Sequence, residues 1–220
     1  SRYYGEDLPI NTWYMKRFAG LSEDGLSLWY YTDKETNEEK TTTTYSTGDF
    51  YLCGDPNPDL YGGFGTSITF HGFDLSTQFS YLVGGLTYDY GYAGMMGNPT
   101  ATSVGNRWHK DVLKAWSPEN PSSTIPRWYF NDLNTTGSSD RFLIDGSYLN
   151  LQNIQVGYTL PDSWTSHLKI KNLRLYFVCD NVYYWSKRKG LDPRRSISGV
   201  GTSGKIAPFR TYSGGISLQF

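Results

Sequence analysis

The sequence lacks the features that mark several common protein classes. No apolar run approaches the roughly 20 residues of a membrane-spanning helix, which excludes helical membrane proteins. The two cysteines, Cys53 and Cys179, lie far apart and belong to no Cys/His cluster, which leaves at most one disulfide and no metal motif. The net charge of −1 offers no electrostatic basis for binding nucleic acid, so we expect no nucleic-acid partner.

Aromatic residues and glycine are abundant instead. Aromatics make up 17% of the 220 residues, with 19 Tyr, 11 Phe and 7 Trp, and glycine contributes 24. Charged residues account for 19%, below the usual quarter. This composition is compatible with a transmembrane β-barrel, whose strands need only about 9–11 residues of alternating polarity and whose surface carries aromatic girdles.

Alternation of polar and apolar residues predicts several long strands. In the segment Phe73–Val83, Phe73, Leu75 and Phe79 share one face, whereas Asp74 and Gln78 share the other. Similar alternation predicts strands at 65–71, 148–160, about 170–185 and 209–220, with a weaker candidate at 11–20. Gly72 separates the run 65–71 from the run Phe73–Val83 and predicts a tight hairpin between them.

The connections between the predicted strands alternate in length. Those near Gly72 and between 160 and 170 are short, whereas 22–60, 84–146 and 186–208 are long and polar. Short turns on the periplasmic side and long loops outside are typical of outer-membrane barrels. If the last strand, 212–220, ends in the periplasm, every long loop lies outside. The sequence therefore predicts an all-β fold, part of a transmembrane antiparallel β-barrel with long extracellular loops.

The longest connection has a helical pattern of its own. Trp108, Val112 and Trp116 recur at intervals of four residues, which predicts a short helix after Asn106. Pro118 follows closely and is expected to end it.

Patterns for catalysis and metal binding are absent from the sequence. His71, His109 and His167 share no ligand spacing, and there is no G-x-S-x-G motif. The glycines of 62–65 precede a predicted strand rather than a helix, so they do not form a phosphate loop. We therefore expect no enzymatic activity, no cofactor and no metal.

A series of motifs follows in order along the chain: Gly54-Asp-Pro-Asn-Pro-Asp59, Phe70-His-Gly-Phe-Asp-Leu75, Trp116-Ser-Pro-Glu-Asn-Pro121, Gly157-Tyr-Thr-Leu-Pro161, Leu173-Arg-Leu-Tyr176 and Gly190-Leu-Asp-Pro193. Together with the terminal strand, these motifs resemble those of the SusC/RagA-like TonB-dependent transporters of Bacteroidetes, over nearly the whole chain. Members of that family are far longer. We therefore expect residues 1–220 to be the C-terminal part of such a barrel, with the plug and the N-terminal strands absent from this chain.

The resemblance implies active import of an oligomeric nutrient, an oligosaccharide or an oligopeptide, across the outer membrane. It also implies several partners: the remaining barrel and plug, a SusD-like surface lipoprotein that acts as a lid, TonB acting through the absent N-terminal part, and outer-membrane lipid. This segment would close the barrel, supply outer loops and carry a barrel insertion signal, which we assign to Tyr212, Ile216, Leu218 and Phe220.

Aromatic clusters in the predicted loops are candidates for contact with cargo or lid: Trp108, Trp116, Trp128, Tyr129, Tyr183, Tyr184 and Trp185. The alternative is an interfacial girdle for 183–185 and packing within the loop for the others. Polar strand residues are expected to face the lumen, where they would contact plug or cargo: Asp74, Gln78, Asn150 and Gln152.

Two other classes of protein remain open from the residue pattern. One is a small outer-membrane barrel without a transport role, and the other is a secreted carbohydrate-binding β-sandwich. A sandwich would bury the face that carries Phe73, Leu75, Phe79 and Tyr81.

Overall fold

The computed structural model describes residues 1–101, 107–132, 134–135, 137–165, 170–195, 199 and 208–220. Their contacts divide the chain into two units. The loop unit comprises Ser1–Asn57, Gly85–Asp145 and the described residues of Arg195–Gly204. The sheet unit comprises Pro58–Gly84, Gly146–Arg194 and the described residues of Lys205–Phe220.

Strands dominate both units. In chain order the elements are β1 (Arg2–Tyr3), β2 (Thr12–Lys16), β3 (Phe18–Leu21), β4 (Ser27–Thr32), β5 (Glu39–Thr42), β6 (Phe50–Leu52), β7 (Leu60–Phe70), β8 (Phe73–Val83), β9 (Leu86–Tyr88), α1 (Tyr90–Met95), β10 (Leu143–Asp145), β11 (Tyr148–Thr159), α2 (Asp162–Thr165), β12 (Asn172–Ser186) and β13 (Thr211–Gln219). Short 3-10 turns cover Lys110–Lys114, Asp140–Phe142 and Pro193–Arg195. No helix in the described part of the chain is long and apolar enough to cross a membrane.

The sheet unit is one antiparallel sheet with the strand order β13-β12-β11-β8-β7. Its strands are 9 to 15 residues long, close to the length expected of membrane-spanning strands. The predicted strands at 73–83, 148–160, 170–185 and 209–220 are confirmed within a few residues at their ends. The strand predicted at 65–71 is longer than expected, since β7 begins at Leu60.

The β7–β8 hairpin closes through a two-residue turn. Phe70 pairs with Phe73, which leaves only His71 and Gly72 between the strands. Both have positive φ, 47° and 84°, the conformation required at both central positions of a type I′ turn. The predicted hairpin is therefore confirmed, and Gly72 supplies a φ that costs other residues strain.

The register of β11 is interrupted once. Leu151 and Asn153 pair with the adjacent residues Phe79 and Gln78 of β8, so Gln152 is an extra residue on β11. On its other side β11 faces a second irregularity, where β12 passes through Asn181 at φ 53°. A bulge reverses the alternation of facing beyond it. This is why Asn150 lies beside Ser80 on the polar face, although strict alternation would place it with Ile154 on the apolar face.

The loop unit contains three small sheets, with the orders β1-β2-β6, β3-β4-β5 and β10-β9. Its core is a cluster of large side chains contributed by separate segments: Trp13, Met15, Tyr88, Met96 and Phe142. The long connections 22–60 and 84–146 therefore contain ordered strands, and 84–146 contributes Tyr88, Met96 and Phe142 to this core.

A buried lysine secures one turn of the loop unit. Lys16 is 5% exposed, and its ammonium group donates hydrogen bonds to the carbonyl oxygens of Tyr45, Ser46 and Gly48. A buried ammonium is tolerated when its protons find acceptors. Here all three protons have one, so Lys16 holds the 45–48 turn against β2.

Two local predictions require correction. The weak candidate strand at 11–20 is two strands, β2 and β3, which lie in different sheets on either side of Arg17. The predicted helix after Asn106 is only the 3-10 turn Lys110–Lys114, since Ala115 is extended and Trp116 donates its backbone N–H to the Ile125 carbonyl. Tertiary pairing of Trp116 thus prevents the helix from continuing, and 102–106 lie outside the described residues.

Candidate functional site: the two faces of the sheet and the aromatic loops

The polar face of the sheet carries an ion pair that spans three strands. Arg174 of β12 donates from Nε and Nη2 to the two carboxylate oxygens of Asp74 on β8, at 3.0 and 2.6 Å. Between them lies β11, whose residue at this level is Gly157, in register with Asp74 and Tyr176. A Cβ on Gly157 would lie 2.4 Å from Asp74 Oδ1 and 2.5 Å from Arg174 Nη2. The glycine therefore provides the space that the ion pair occupies.

A second glycine on the same level has a similar role. Gly215 of β13 pairs with Tyr176, and a Cβ there would lie 2.3 Å from the Tyr176 hydroxyl oxygen. The Tyr176 ring thus extends over Gly215 of β13, and the guanidinium carbon of Arg174 lies 5.4 Å from the ring centroid. Gly157 and Gly215 thus leave room on the polar face for the Arg174–Asp74 ion pair and for the Tyr176 ring.

Amide side chains continue the polar face toward the end at which β8 finishes. Gln78, predicted to face the lumen, is exposed and in register with Asn153, whose amide donates to Asp180 at 2.7 Å. Gln152 is exposed at the bulge and has no partner in either register. Asp74, Gln78 and Asn150 thus lie on one polar face, whereas Gln152 is the extra residue of the β11 bulge.

Asn150 belongs to a compact polar cluster. It is 4% exposed, and its Oδ1 accepts a 2.6 Å hydrogen bond from Arg194 Nη1. The same nitrogen donates to Asn181 Oδ1 at 2.9 Å, while Nε and Nη2 of Arg194 hold both oxygens of Asp192. The Tyr184 ring lies 4.5 Å from the guanidinium carbon. One arginine therefore joins β11, the irregular point of β12 and the following turn.

Sequence reasoning did not assign a role to Arg174, Asn181, Asp192 or Arg194. Two signals for them were present. Arg174 lies within the Leu173-Arg-Leu-Tyr176 motif, and Asp192 lies within Gly190-Leu-Asp-Pro193. Asp74, the partner of Arg174, is 100 residues away in the chain, and Asn150 is 44 residues from Arg194, so no local pattern pointed to these pairs.

The three aromatic residues at the end of β12 are divided between the faces. Tyr183 and Trp185 pair with Leu151 and Leu149 on the apolar face, with ring centroids 4.8 Å apart, and both are exposed. Tyr184 pairs with Asn150 on the polar face, against Arg194. The first two occupy positions suited to an interfacial girdle, and only Tyr184 faces the polar side.

The aromatic residues of the loop unit differ in how far they are packed or exposed. Trp116 packs directly on Gly25, at whose position a Cβ would lie 2.3 Å from the indole. Trp108 and Trp128 contact each other edge to face at 5.6 Å, and Trp128 Nε1 donates to the Gly97 carbonyl at 3.3 Å. Tyr129 is 63% exposed. Trp116 is thus a packing residue, whereas Trp128 and Tyr129 offer exposed ring surface.

The apolar face is exposed across all five strands of the sheet unit. One row, formed by Ile68, Leu75, Val156 and Phe177, crosses four strands in register. The residues predicted as an insertion signal extend the face to the edge strand: Tyr212, Ile216, Leu218 and, beyond the strand, Phe220. An exposed apolar surface of this extent is unusual for a protein in water and marks a site of contact with another apolar phase.

Two aromatic rows bound this apolar face. Phe70, Phe73 and Tyr158 form one row beside the tight hairpin, and Tyr81 and Trp185 lie in the other, on either side of Leu149. Phe73 and Tyr81 are eight residues apart on β8, or about 26 Å at roughly 3.3 Å per residue. The apolar band of outer-membrane barrels is about 25 Å tall between its aromatic girdles.

No protein-family model matches the chain. Among curated proteins, it is 29% identical to TonB-dependent receptor P3 of Formosa agariphila over 99% of this chain and 21% of that protein. It is 27% identical to TonB-dependent receptor SusC of Bacteroides thetaiotaomicron over 80% of this chain and 17% of that protein. The chain thus spans about a fifth of the length of the curated relatives it matches.

Solved structures show the same relationship. The RagAB peptide transporter matches with a TM-score of 0.78 and 26% identity, over 96% of this chain and 23% of that one. The RagAB peptide importer in the "closed-closed" state matches with the same TM-score and 25% identity. With its two-faced sheet, aromatic rows and motifs, the chain is a C-terminal segment of a SusC/RagA-like TonB-dependent receptor, a β-barrel protein of the outer membrane.

Proposed function

We propose that the protein carrying this chain actively imports an oligomeric nutrient, an oligopeptide or an oligosaccharide, across the outer membrane. The observation that carries the proposal is the match of nearly the whole chain to RagAB, described as a peptide transporter and peptide importer. The relative SusC supports the same class of protein. In this proposal the apolar face meets lipid and the polar face lines the lumen.

The segment's own share would be to complete the barrel wall and to supply outer loops. Long connections leave the end of the sheet at which Leu60, Val83, Tyr148 and Ser186 lie, whereas His71-Gly72 and the α2 connection leave the other end. In outer-membrane barrels the long loops are extracellular. The described loop segments would therefore face the exterior, where a SusD-like lipoprotein would bind as a lid.

A carbohydrate-binding sandwich is less well supported. Such a fold would bury Phe73, Leu75 and their neighbours against a second sheet. In the sheet unit Phe64, Phe73 and Val156 are exposed instead. Exposure of this face favours a lipid-facing wall.

Transport is tested with the intact protein in its own cells. A strain that lacks it should lose uptake of either fluorescent oligopeptides or fluorescent oligosaccharides, and the class that is lost identifies the cargo. Uptake by the wild type should stop on addition of a protonophore or on deletion of TonB, because import of this kind draws its energy from the inner membrane. The proposal would be contradicted if uptake of both cargo classes were unchanged by loss of the protein, by the protonophore and by deletion of TonB. A SusD-like lipoprotein that copurifies in detergent would support the lid.

A further inference from the structure

A cavity of about 480 Å³ lies along the outer part of β12. β13 pairs with β12 only as far as Asp180, so residues 181–186 keep one edge without a partner from β13. The cavity occupies this edge and is lined by Asn181–Ser186, by Lys189, Gly190 and Arg194, and by Pro208 and Arg210. Its volume falls in the range of roughly 300–1,000 Å³ that is usual for small-molecule sites.

The charge of the cavity has one sign. Of the described residues that line it, Lys189, Arg194 and Arg210 are cationic and none is acidic. The guanidinium of Arg194 already donates to Asp192, Asn150 and Asn181, so it lines the cavity in a fixed position. Lys189 and Arg210 form no ion pair with another described residue. Two cations are thus available to an anion.

The cavity is held open by the polar cluster beside it. The Asn181 side-chain amide donates to the carbonyl oxygens of Pro208 and Phe209, at 2.8 and 3.3 Å. These bonds fix the segment that carries Arg210, while Asn181 Oδ1 accepts from Arg194. Side-chain hydrogen bonds of Asn181 therefore hold both the Arg210 segment and the Arg194 guanidinium at the edge of the cavity.

The position of the cavity indicates what would occupy it. Tyr183 and Trp185 line it from the apolar face, and Trp185 belongs to the aromatic row at that end of the apolar band. Arg210 extends toward the same face, with Nη1 3.5 Å from the hydroxyl oxygen of Tyr212. Aromatic girdles lie at the level of lipid headgroups, and basic pockets at that level bind anionic headgroups. Charge and depth thus match a phosphorylated lipid.

We propose that this cavity binds the phosphate headgroup of an anionic glycolipid in the outer leaflet of the outer membrane. Lys189 and Arg210 would hold the phosphate, and Tyr183 and Trp185 would pack against the adjoining sugar or acyl chain. The proposal rests on the outer-membrane location of the protein and not on its proposed import activity.

The test measures lipid binding by the full-length receptor in detergent. Affinity is determined for phosphorylated lipid A, for enzymatically dephosphorylated lipid A and for inorganic phosphate. A cation near an anionic headgroup contributes about 1 kcal/mol, or about fivefold in affinity. Lys189→Gln and Arg210→Gln should each weaken binding of phosphorylated lipid A about fivefold, and the double variant about 25-fold. Dephosphorylated lipid A should bind the wild type about as weakly as phosphorylated lipid A binds the double variant.

Two variants serve as controls. Lys34→Gln removes an exposed lysine of the loop unit and should leave the affinity unchanged. Lys189→Arg keeps the charge and should retain binding, which separates loss of charge from loss of fold. Unchanged affinity of the double variant, or an equal loss for both forms of lipid A, would overturn the proposal. Inorganic phosphate that binds as tightly as lipid A would make this a free-phosphate site and would also overturn it. Cargo uptake is not part of the readout, so a failure of the import proposal leaves this result intact.

Discussion

Arg174 and Asp74 form a bidentate ion pair across the full width of an intervening strand, over the backbone of Gly157. The pair therefore joins β12 to β8 although the two strands share no backbone hydrogen bond. Planar guanidinium and carboxylate groups match in this geometry, which makes the contact directional as well as attractive. The middle strand permits it only because it has no side chain at the crossing point.

Gly157→Ala should break this contact. The added methyl would occupy the position of the paired atoms, so one side chain must move away, and the free energy of unfolding should fall by about 1–3 kcal/mol. Thermal unfolding of the detergent-solubilised full-length receptor measures the change. Gly214→Ala is the matched control, because Gly214 lies in a strand of the same sheet and a Cβ there comes no closer than 3.8 Å to the atoms around it. Equal stability of the two variants would show that the pair does not depend on Gly157.

Arg194→Lys should destabilise the protein by about 1.5–3 kcal/mol although the charge is kept, because hydrogen bonds to a charged group are lost. A lysine ammonium lacks the planar set of N–H donors with which the Arg194 guanidinium binds both oxygens of Asp192 and also Asn150 and Asn181. Denaturant unfolding of the full-length receptor provides the measurement. Arg107→Lys, at an exposed arginine, is the control and should be neutral. An equally neutral Arg194→Lys would mean that only the charge matters at this position.

Asp140 should make stability depend on pH in the acidic range. Burial raises the pKa of the Asp140 carboxyl above its ordinary value of 3.8, although its Oδ1 accepts a 2.8 Å hydrogen bond from the Phe18 backbone. Because the pKa of Asp140 is higher in the folded than in the unfolded protein, the protonated carboxyl stabilises the fold. This stabilisation is fully present below pH 3.8 and is lost as the pH rises through the pKa of the folded state. Asp140→Asn should remove this slope, which melting curves across the acidic range would detect. An identical slope in the variant would contradict the assignment.

Phe220→Ala should reduce assembly of the barrel in the outer membrane severalfold. Phe220 is 74% exposed at the end of the apolar face of β13, in the position assigned to the insertion signal. Assembly is read from the heat-modifiable band of folded barrel in membrane fractions. Ser217→Ala, on the polar face of the same strand, is expected to assemble normally. Normal amounts of folded Phe220→Ala protein would refute the role of the terminal aromatic.

Trp116→Ala and Tyr129→Ala should have opposite phenotypes. Trp116 is half-buried and packs on Gly25, so its removal takes away that contact and should lower the free energy of unfolding by about 1–3 kcal/mol. Tyr129 is largely exposed, so its removal should leave stability unchanged and weaken binding of cargo or lid. Melting temperature and binding to the SusD-like lipoprotein proposed as the lid, measured on the same preparations, separate the two effects. If Tyr129→Ala leaves binding of this lipoprotein unchanged, Tyr129 is not a lid contact.

Some structural features followed directly from local sequence. Period-two alternation placed Phe73, Leu75 and Phe79 on one face of β8, and the pairs with β7 and β11 agree with that placement. Gly72 marked the tight hairpin, because only a few residues adopt its φ of 84° without strain. Such signals are readable because the backbone geometry that produces them spans only two to four residues.

Other features were hidden from the sequence because they depend on register. The extra residue Gln152 changes which face Asn150 occupies, and no local pattern marks a bulge. The aromatic run 183–185 illustrates the same limit, since pairing with Leu149, Asn150 and Leu151 sends Tyr184 to one face and its neighbours to the other. The 3-10 turn at Lys110–Lys114 replaced a predicted helix because Trp116 found a distant backbone partner.

The sequence by itself determined the strands of the sheet unit, their two faces and the family to which their motifs belong. Only the tertiary structure decided which polar groups meet: Asp74 with Arg174 across Gly157, and Asn150 with Arg194 beside the cavity. The physical reason is that facing follows from local backbone geometry, whereas a contact between residues 100 positions apart requires strand order, register and space. Here that space is the missing side chain of a glycine on a third strand.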